Sequence, residues 1–162
     1  MTRRLRPVGL GFLDDAPLRL VFTARVRAAP DTVYRALAEE VTGWPDWFRA
    51  VTLARPTRGG AGREVRLTGG VGFQETIMAA DPGRRYAYRV DETNAPGMRA
   101  LLEEWLLAPA RDSPGTLVRW TFAADGPAAF RLALTAARPA LGHSFRTAVR
   151  TLDGRLAARS RG

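Results

Sequence analysis

Hydrophobic and polar positions alternate along most of this chain and fall into helical spacing in only two stretches. In Leu18–Arg27, LRLVFTARVR, residues Leu20, Phe22, Ala24 and Val26 share one face, and Arg19, Arg25 and Arg27 share the other. That period of two predicts a half-buried strand. Ala29-Pro30-Asp31 then opens a helix carrying Val33, Tyr34, Leu37 and Val41 at helical spacing, with proline in its favoured first turn. Gly43 is expected to end it, and Trp44-Pro45-Asp46-Trp47-Phe48 to form a second short helix opened by Pro45. Strand patterns follow at Ala50–Arg55, Arg63–Thr68, Val71–Ala80, Tyr86–Asp91, Ala100–Ala108 and Thr116–Ala124. Gly59-Gly60, Gly69-Gly70, Asp81-Pro82-Gly83, Ala95-Pro96-Gly97 and Ser113-Pro114-Gly115 separate them,. Connections this short favour an antiparallel meander over parallel crossovers.

The last segment changes period. Phe130, Leu134, Ala137, Leu141, Phe145, Val149, Leu152 and Leu156 succeed one another in steps of three or four. The spacing predicts one amphipathic helix from about Pro127 to Leu156, kinked near Pro139 and Gly142. His143 lies about 200° around that helix from both Leu141 and Phe145, so it is expected on the solvent face.

Composition removes much of the familiar catalytic repertoire. The 162 residues contain no cysteine and no lysine, and His143 is the only histidine. Thiolate nucleophiles, sulfur-ligated zinc, Schiff-base lysines and histidine metal clusters are therefore excluded, and no metal site or cofactor is expected. Ser113, Ser144 and Ser160 are the only serines, none in a GxSxG setting,. The length predicts a single domain. No apolar run approaches the ~18 residues of a membrane span. The opening MTRRLRPVGLGFLDD runs quickly into Asp14 and Asp15, which argues against a cleaved signal peptide and for a cytoplasmic protein. The net charge of +9 comes wholly from arginines spread along the chain. Without a cluster, this reads as a solvated basic surface rather than a nucleic-acid site.

The succession AAPDTVYRAL, TGWPDWF, GAGREVRL, GFQETIMAADPGRRYAYRV and GTLVRWTF, followed by a long helix, resembles the SRPBCC (START-like) superfamily. Within it, the sequence is most similar to the polyketide cyclase/dehydrase-like branch. The resemblance runs from about Arg19 to Leu156. It implies an α+β helix-grip fold: a seven-stranded antiparallel sheet wrapped around a long C-terminal helix, with two short helices after the first strand and a deep pocket between sheet and helix. It does not imply one activity, since members include cyclases, aromatases, lipid carriers, hormone receptors and chaperone co-activators.

The residues themselves suggest what such a pocket holds. Phe73, Glu75 and Ile77 share a strand face, so an inward Phe73 brings Glu75 with it. A bulge would instead turn Glu75 outward to a surface arginine, and both orientations are open. In LLEEWLL both parities carry leucines and one glutamate, and the aromatic Trp105 favours Glu103 as the inward acid. Tyr88 and Trp120 share their faces with apolar neighbours, whereas Arg89 faces the other way. Trp47, Phe73, Glu75, Tyr88, Glu103, Trp105 and Trp120 are the expected ligand-contacting residues, Trp47 or Phe48 lying at the entrance. The same aromatics could instead simply fill the core. Glu75, Tyr88 and Glu103 are the candidate acid–base groups. Three readings stay open: a binder of a hydrophobic polyketide-like or lipid-like molecule, a polyketide cyclase/dehydratase, and a protein binding an acidic partner through its arginine-rich surface.

Overall fold

The computed structural model describes residues 1–162. A two-residue strand, β1 (Arg3–Arg4), and one helical turn, α1 (Phe12–Asp15), precede β2 (Leu18–Val26). After the short helices come β3 (Val51–Thr57), β4 (Gly62–Leu67), β5 (Gly72–Asp81), β6 (Arg85–Thr93), β7 (Ala100–Pro109) and β8 (Thr116–Asp125). They form one sheet in the order β2-β8-β7-β6-β5-β4-β3, antiparallel at every step. Consecutive strands from β3 to β8 are neighbours, as the short connections predict, and β2 closes against β8.

The sheet grips a C-terminal helix in two pieces, α3 (Ala128–Ala136) and α4 (Arg138–Arg159). The break falls at Ala137, just ahead of Pro139, whose ring and missing N–H interrupt the helical ladder,. The apolar stripe keeps its predicted phase. Phe145, Val149, Leu152 and Leu156 are buried in α4, whereas Phe130 and Leu134 in α3 are only half-buried. Gly142 serves packing rather than kinking: a Cβ there would stand 3.0 Å from the Phe22 ring, so its absence lets α4 approach β2.

Three features depart from the sequence expectations. First, the helix opened by Pro30 runs as α2 (Pro30–Tyr34) into a widened π turn, Arg35–Glu39, and ends at Glu40 rather than at Gly43. The following 3-10 turn spans Val41–Asp46 with Pro45 inside it. Second, the expected seven strands form the sheet, and the two-residue β1 adds a short eighth at its side. β1 pairs with the end of β6, Arg3 opposite Thr93, beyond the point where β7 pairs with it. Third, the N-terminal segment has a core of its own: Val8 and Leu13 pack on Ala100, Leu102 and Ala123. β7 is therefore covered on both faces, which is why its two parities looked alike.

The β7–β8 turn depends on Gly115, whose φ of 123° is one that residues with a side chain rarely adopt. A Cβ at this position would also fall 2.3 Å from the Val26 carbonyl oxygen. Gly115→Ala is expected to destabilise the protein by about 1–3 kcal/mol in urea unfolding. An unchanged midpoint would show that the turn relaxes freely.

Candidate functional site

Between the concave face of the sheet and α4 lies a cavity of about 200 Å³, lined by fifteen residues of which eleven are apolar. Trp44, Phe48 and Val51 supply one wall, Val65 and Phe73 another, and Trp120 and Phe122 a third. Among the lining residues only Ala50, Leu67, Leu141 and Ser144 are partly exposed. The mouth therefore opens between the start of β3, the end of β4 and the first turns of α4.

Three charged side chains and the hydroxyl of Tyr88, a residue counted among the apolar eleven, face the cavity from adjacent strands. β4 supplies Arg63, β5 Glu75, β6 Tyr88 and β7 Glu103. Register brings them together: Arg63 lies opposite Glu75, and Tyr88 opposite Glu103. The Arg63 and Glu75 side chains are 2% and 1% exposed, and Arg63 Nε donates to Glu75 Oε2. The guanidinium also lies against two aromatic rings set nearly perpendicular to each other, 3.8 Å from the Tyr88 ring centre and 4.3 Å from that of Trp44. Such stacking suits a desolvated arginine far better than a lysine. Arg63 Nη1 is buried without a hydrogen-bond partner.

Glu103 is held from the other side. Tyr88 Oη donates to Glu103 Oε2 at 2.8 Å and Trp120 Nε1 donates to the same oxygen at 3.0 Å. Trp105 Nε1 in turn donates to Tyr88 Oη at 3.0 Å. The result is one cation, two carboxyls and a phenol at the polar end of an otherwise apolar cavity.

The electrostatics follow from that composition. Burial raises Glu75 to about 7, because it outweighs the Arg63 contact while Glu103 and Asp91 push the same way. Burial likewise raises Glu103 against the opposing hydrogen bond from Tyr88, and pushes Tyr88 well above its ordinary value. Burial alone would lower Arg63, but Glu75 and the two tyrosines reverse this and keep it charged. One fixed cation balances one carboxylate, so the second acid tends to hold its proton.

A stability prediction follows. Unfolded, Glu75 ionises near its ordinary 4.5; folded, it holds its proton up to about 7. The folded state binds more protons across that window, so this group's contribution makes stability fall as pH rises through it. Glu75→Gln removes the titration. Its stability relative to wild type is expected to rise between about pH 4.5 and 7 and to level off above. Parallel pH profiles of the two proteins would contradict this.

Of the residues expected to contact a ligand, Phe73, Glu75, Tyr88, Glu103 and Trp120 line the cavity. Glu75 faces inward although a bulge does occur beside it. The extra residue is Asp91 on β6, so β5 keeps its alternation there. Trp105 and Trp47 do not line the cavity. Trp105 is 1% exposed, wedged among Trp44, Trp47, Trp120 and Phe145, and acts on the cavity through its hydrogen bond to Tyr88 and by backing the lining rings of Trp44 and Trp120. Trp47 packs behind Trp44 and borders a crevice with Leu152 and Leu156 on the far side, while Phe48 reaches the cavity in its place. His143 is exposed on α4, as helix geometry predicts. The residue that sequence reasoning missed is Arg63. Its signal was present, because Arg63, Val65 and Leu67 share one parity.

Residues 17–157 match the family described as polyketide cyclase/dehydrase and lipid transport. The chain belongs to that family. Its helix-grip fold is shared with solved structures of the START/SRPBCC superfamily. The Zhui aromatase/cyclase of Streptomyces superposes with a TM-score of 0.70 at 23% identity, covering 90% of this chain and 96% of that one. The protein XoxI of Bacillus cereus gives 0.69 at 16% identity, over 86% and 95% of the two chains. A START superfamily protein of Mycobacterium smegmatis gives 0.66 at 10% identity, over 86% and 97%. At these identities the likeness is one of fold. No protein of curated function matches this family member in sequence. No helix in it is long and apolar enough to cross a membrane.

Proposed function

We propose that this protein binds a small, largely apolar, ring-bearing molecule between sheet and α4, with an oxygen-bearing group of that molecule at the Arg63 end. The observation that carries this reading is the cavity itself: an apolar, aromatic wall with a single polar corner. Sites of this kind take their affinity from apolar area and their orientation from a few placed polar groups. Size narrows the ligand. An apolar protein cavity of roughly 150 Å³ accommodates benzene, so about 200 Å³ suits one or two fused rings. A long acyl or polyketide chain would extend out through the mouth.

A second reading has one specific observation in its favour. Glu75 titrates near neutrality beside a charged Arg63 and a protonated Tyr88, which suits a general acid–base in cyclisation or dehydration of a ketone-bearing substrate. Glu75→Gln separates the two readings, because the amide keeps the shape but exchanges no proton. Binding of a neutral two-ring ketone is expected to stay within about tenfold of wild type. Binding alone predicts no turnover of a polyketide-type ketone by either protein. Turnover by wild type that disappears in Glu75→Gln establishes the catalytic reading instead.

A further inference from the structure

The charged groups lining the cavity are unequal in number: Arg63 is the one cation, and Glu75 and Glu103 are two acids. All three are buried; Arg63 and Glu75 face each other across β4 and β5, and Glu103 stands on β7, beyond Tyr88 of β6. We infer that this imbalance makes the pocket select against anionic ligands: it takes an uncharged oxygen-bearing group, a ketone or a phenol, and rejects a carboxylate of the same size. The inference rests on the binding reading above and deepens it by naming the class of polar group.

Arg63 already gives its Nε to Glu75. A ligand carboxylate at the polar end would be a third acid around one guanidinium. It would enter only if an additional acid took up a proton or an unbalanced negative charge were buried, and both are unfavourable. A neutral carbonyl adds no charge and accepts from the guanidinium, which borders the cavity. A phenol also donates, and the two carboxyls offer it acceptors. Only Oε2 of Glu103 takes the Tyr88 and Trp120 hydrogen bonds, and only Oε2 of Glu75 takes that of Arg63.

The placement of the acids gives the test its control. Glu103→Gln keeps an oxygen to accept from Tyr88 and Trp120 while removing one acid, so that a ligand carboxylate becomes the second acid around Arg63 rather than the third. A pocket so altered should lose its bias against anions without losing its shape.

Two naphthalenes of matched size serve as probes, 2-acetylnaphthalene and 2-naphthoate, titrated calorimetrically at pH 8 into wild type and Glu103→Gln. Wild type is expected to bind the ketone at least tenfold more tightly than the carboxylate, and the variant to shrink that ratio at least fivefold. A carboxylate that binds wild type as tightly as the ketone overturns the inference. So does a ratio that Glu103→Gln leaves unchanged, since the discrimination would then owe nothing to the paired acids. Should Glu103→Gln fail to fold, Glu75→Gln makes the same comparison, and the wild-type ratio still decides. If wild type binds neither naphthalene, the binding reading itself fails and takes the inference with it; ketone binding without discrimination removes only the inference.

Discussion

Arg63→Ala should destabilise the protein by about 3–5 kcal/mol, the loss seen when one partner of a buried ion pair is removed. Arg63 is 2% exposed, and its stem and guanidinium fill the space between Trp44, Tyr88 and Glu75. Truncation leaves a cavity, forfeits two desolvated cation–π contacts and strands Glu75 without its counter-charge. Protonation of Glu75 would relieve part of the last term, so the loss should be smaller at pH 5 than at pH 8. The double variant Arg63→Met with Glu75→Leu tests the cause. A well-packed apolar pair is often neutral relative to a buried ion pair, so it should recover most of the lost stability while ligand orientation is lost. Urea unfolding at the two pH values measures both effects. A single variant within about 1 kcal/mol of wild type would show that Arg63 is not the electrostatic centre of this site.

Ser144→Trp should abolish ligand binding by occupying the space the ligand needs. Ser144 lies on α4 at the partly exposed rim of the cavity, and an indole entering about 200 Å³ of free space displaces no existing side chain. Affinity for 2-acetylnaphthalene should fall at least about a hundredfold, which is about 2.7 kcal/mol. Stability should hold or rise, since filling a cavity commonly gains about 0.5–2 kcal/mol. Calorimetry and unfolding on the same preparation separate the two outcomes. A folded variant that binds within about threefold of wild type would place the ligand elsewhere.

The strand pattern was legible because one face of most strands meets the core and the other meets solvent. Leu20, Phe22 and Val26 are buried while Arg19, Thr23 and Arg25 are exposed, and the period of two records that difference directly. Legibility failed where this condition failed. β7 is covered by α4 and the aromatic core on one side and by the N-terminal segment on the other, so Leu101 and Leu102 are both fully buried. Nothing in the alternation of MTRRLRPVGLGFLDD marked it as a cover for the sheet, because Val8 and Leu13, with Leu10, Phe12 and Ala16 half-buried beside them, form no periodic face. Glu75 and Glu103 share faces with buried aromatics, which made them candidates, but the alternation left a bulge open at Glu75 and needed the bulk of Trp105 to favour Glu103. Arg63 was overlooked because an arginine reads as a surface residue in a chain with so many of them. Its inward parity with Val65 outweighs its charge only once Glu75 is known to face it. Trp47 and Trp105 show the converse limit. Their burial was predictable, but whether a buried ring lines a cavity or stands behind it depends on the three-dimensional packing of Trp44 and Phe48.

We propose that the space between sheet and α4 holds a small apolar molecule with its oxygen at the Arg63 end. A crystal structure of the protein grown with 2-acetylnaphthalene tests it most directly. The expected density is a single naphthalene between Phe48, Phe73 and Trp120, with the ketone oxygen within hydrogen-bond reach of the Arg63 guanidinium. Density for the ring outside this cavity, or a ring inside it with the ketone turned toward the mouth at Ser144, would contradict the account.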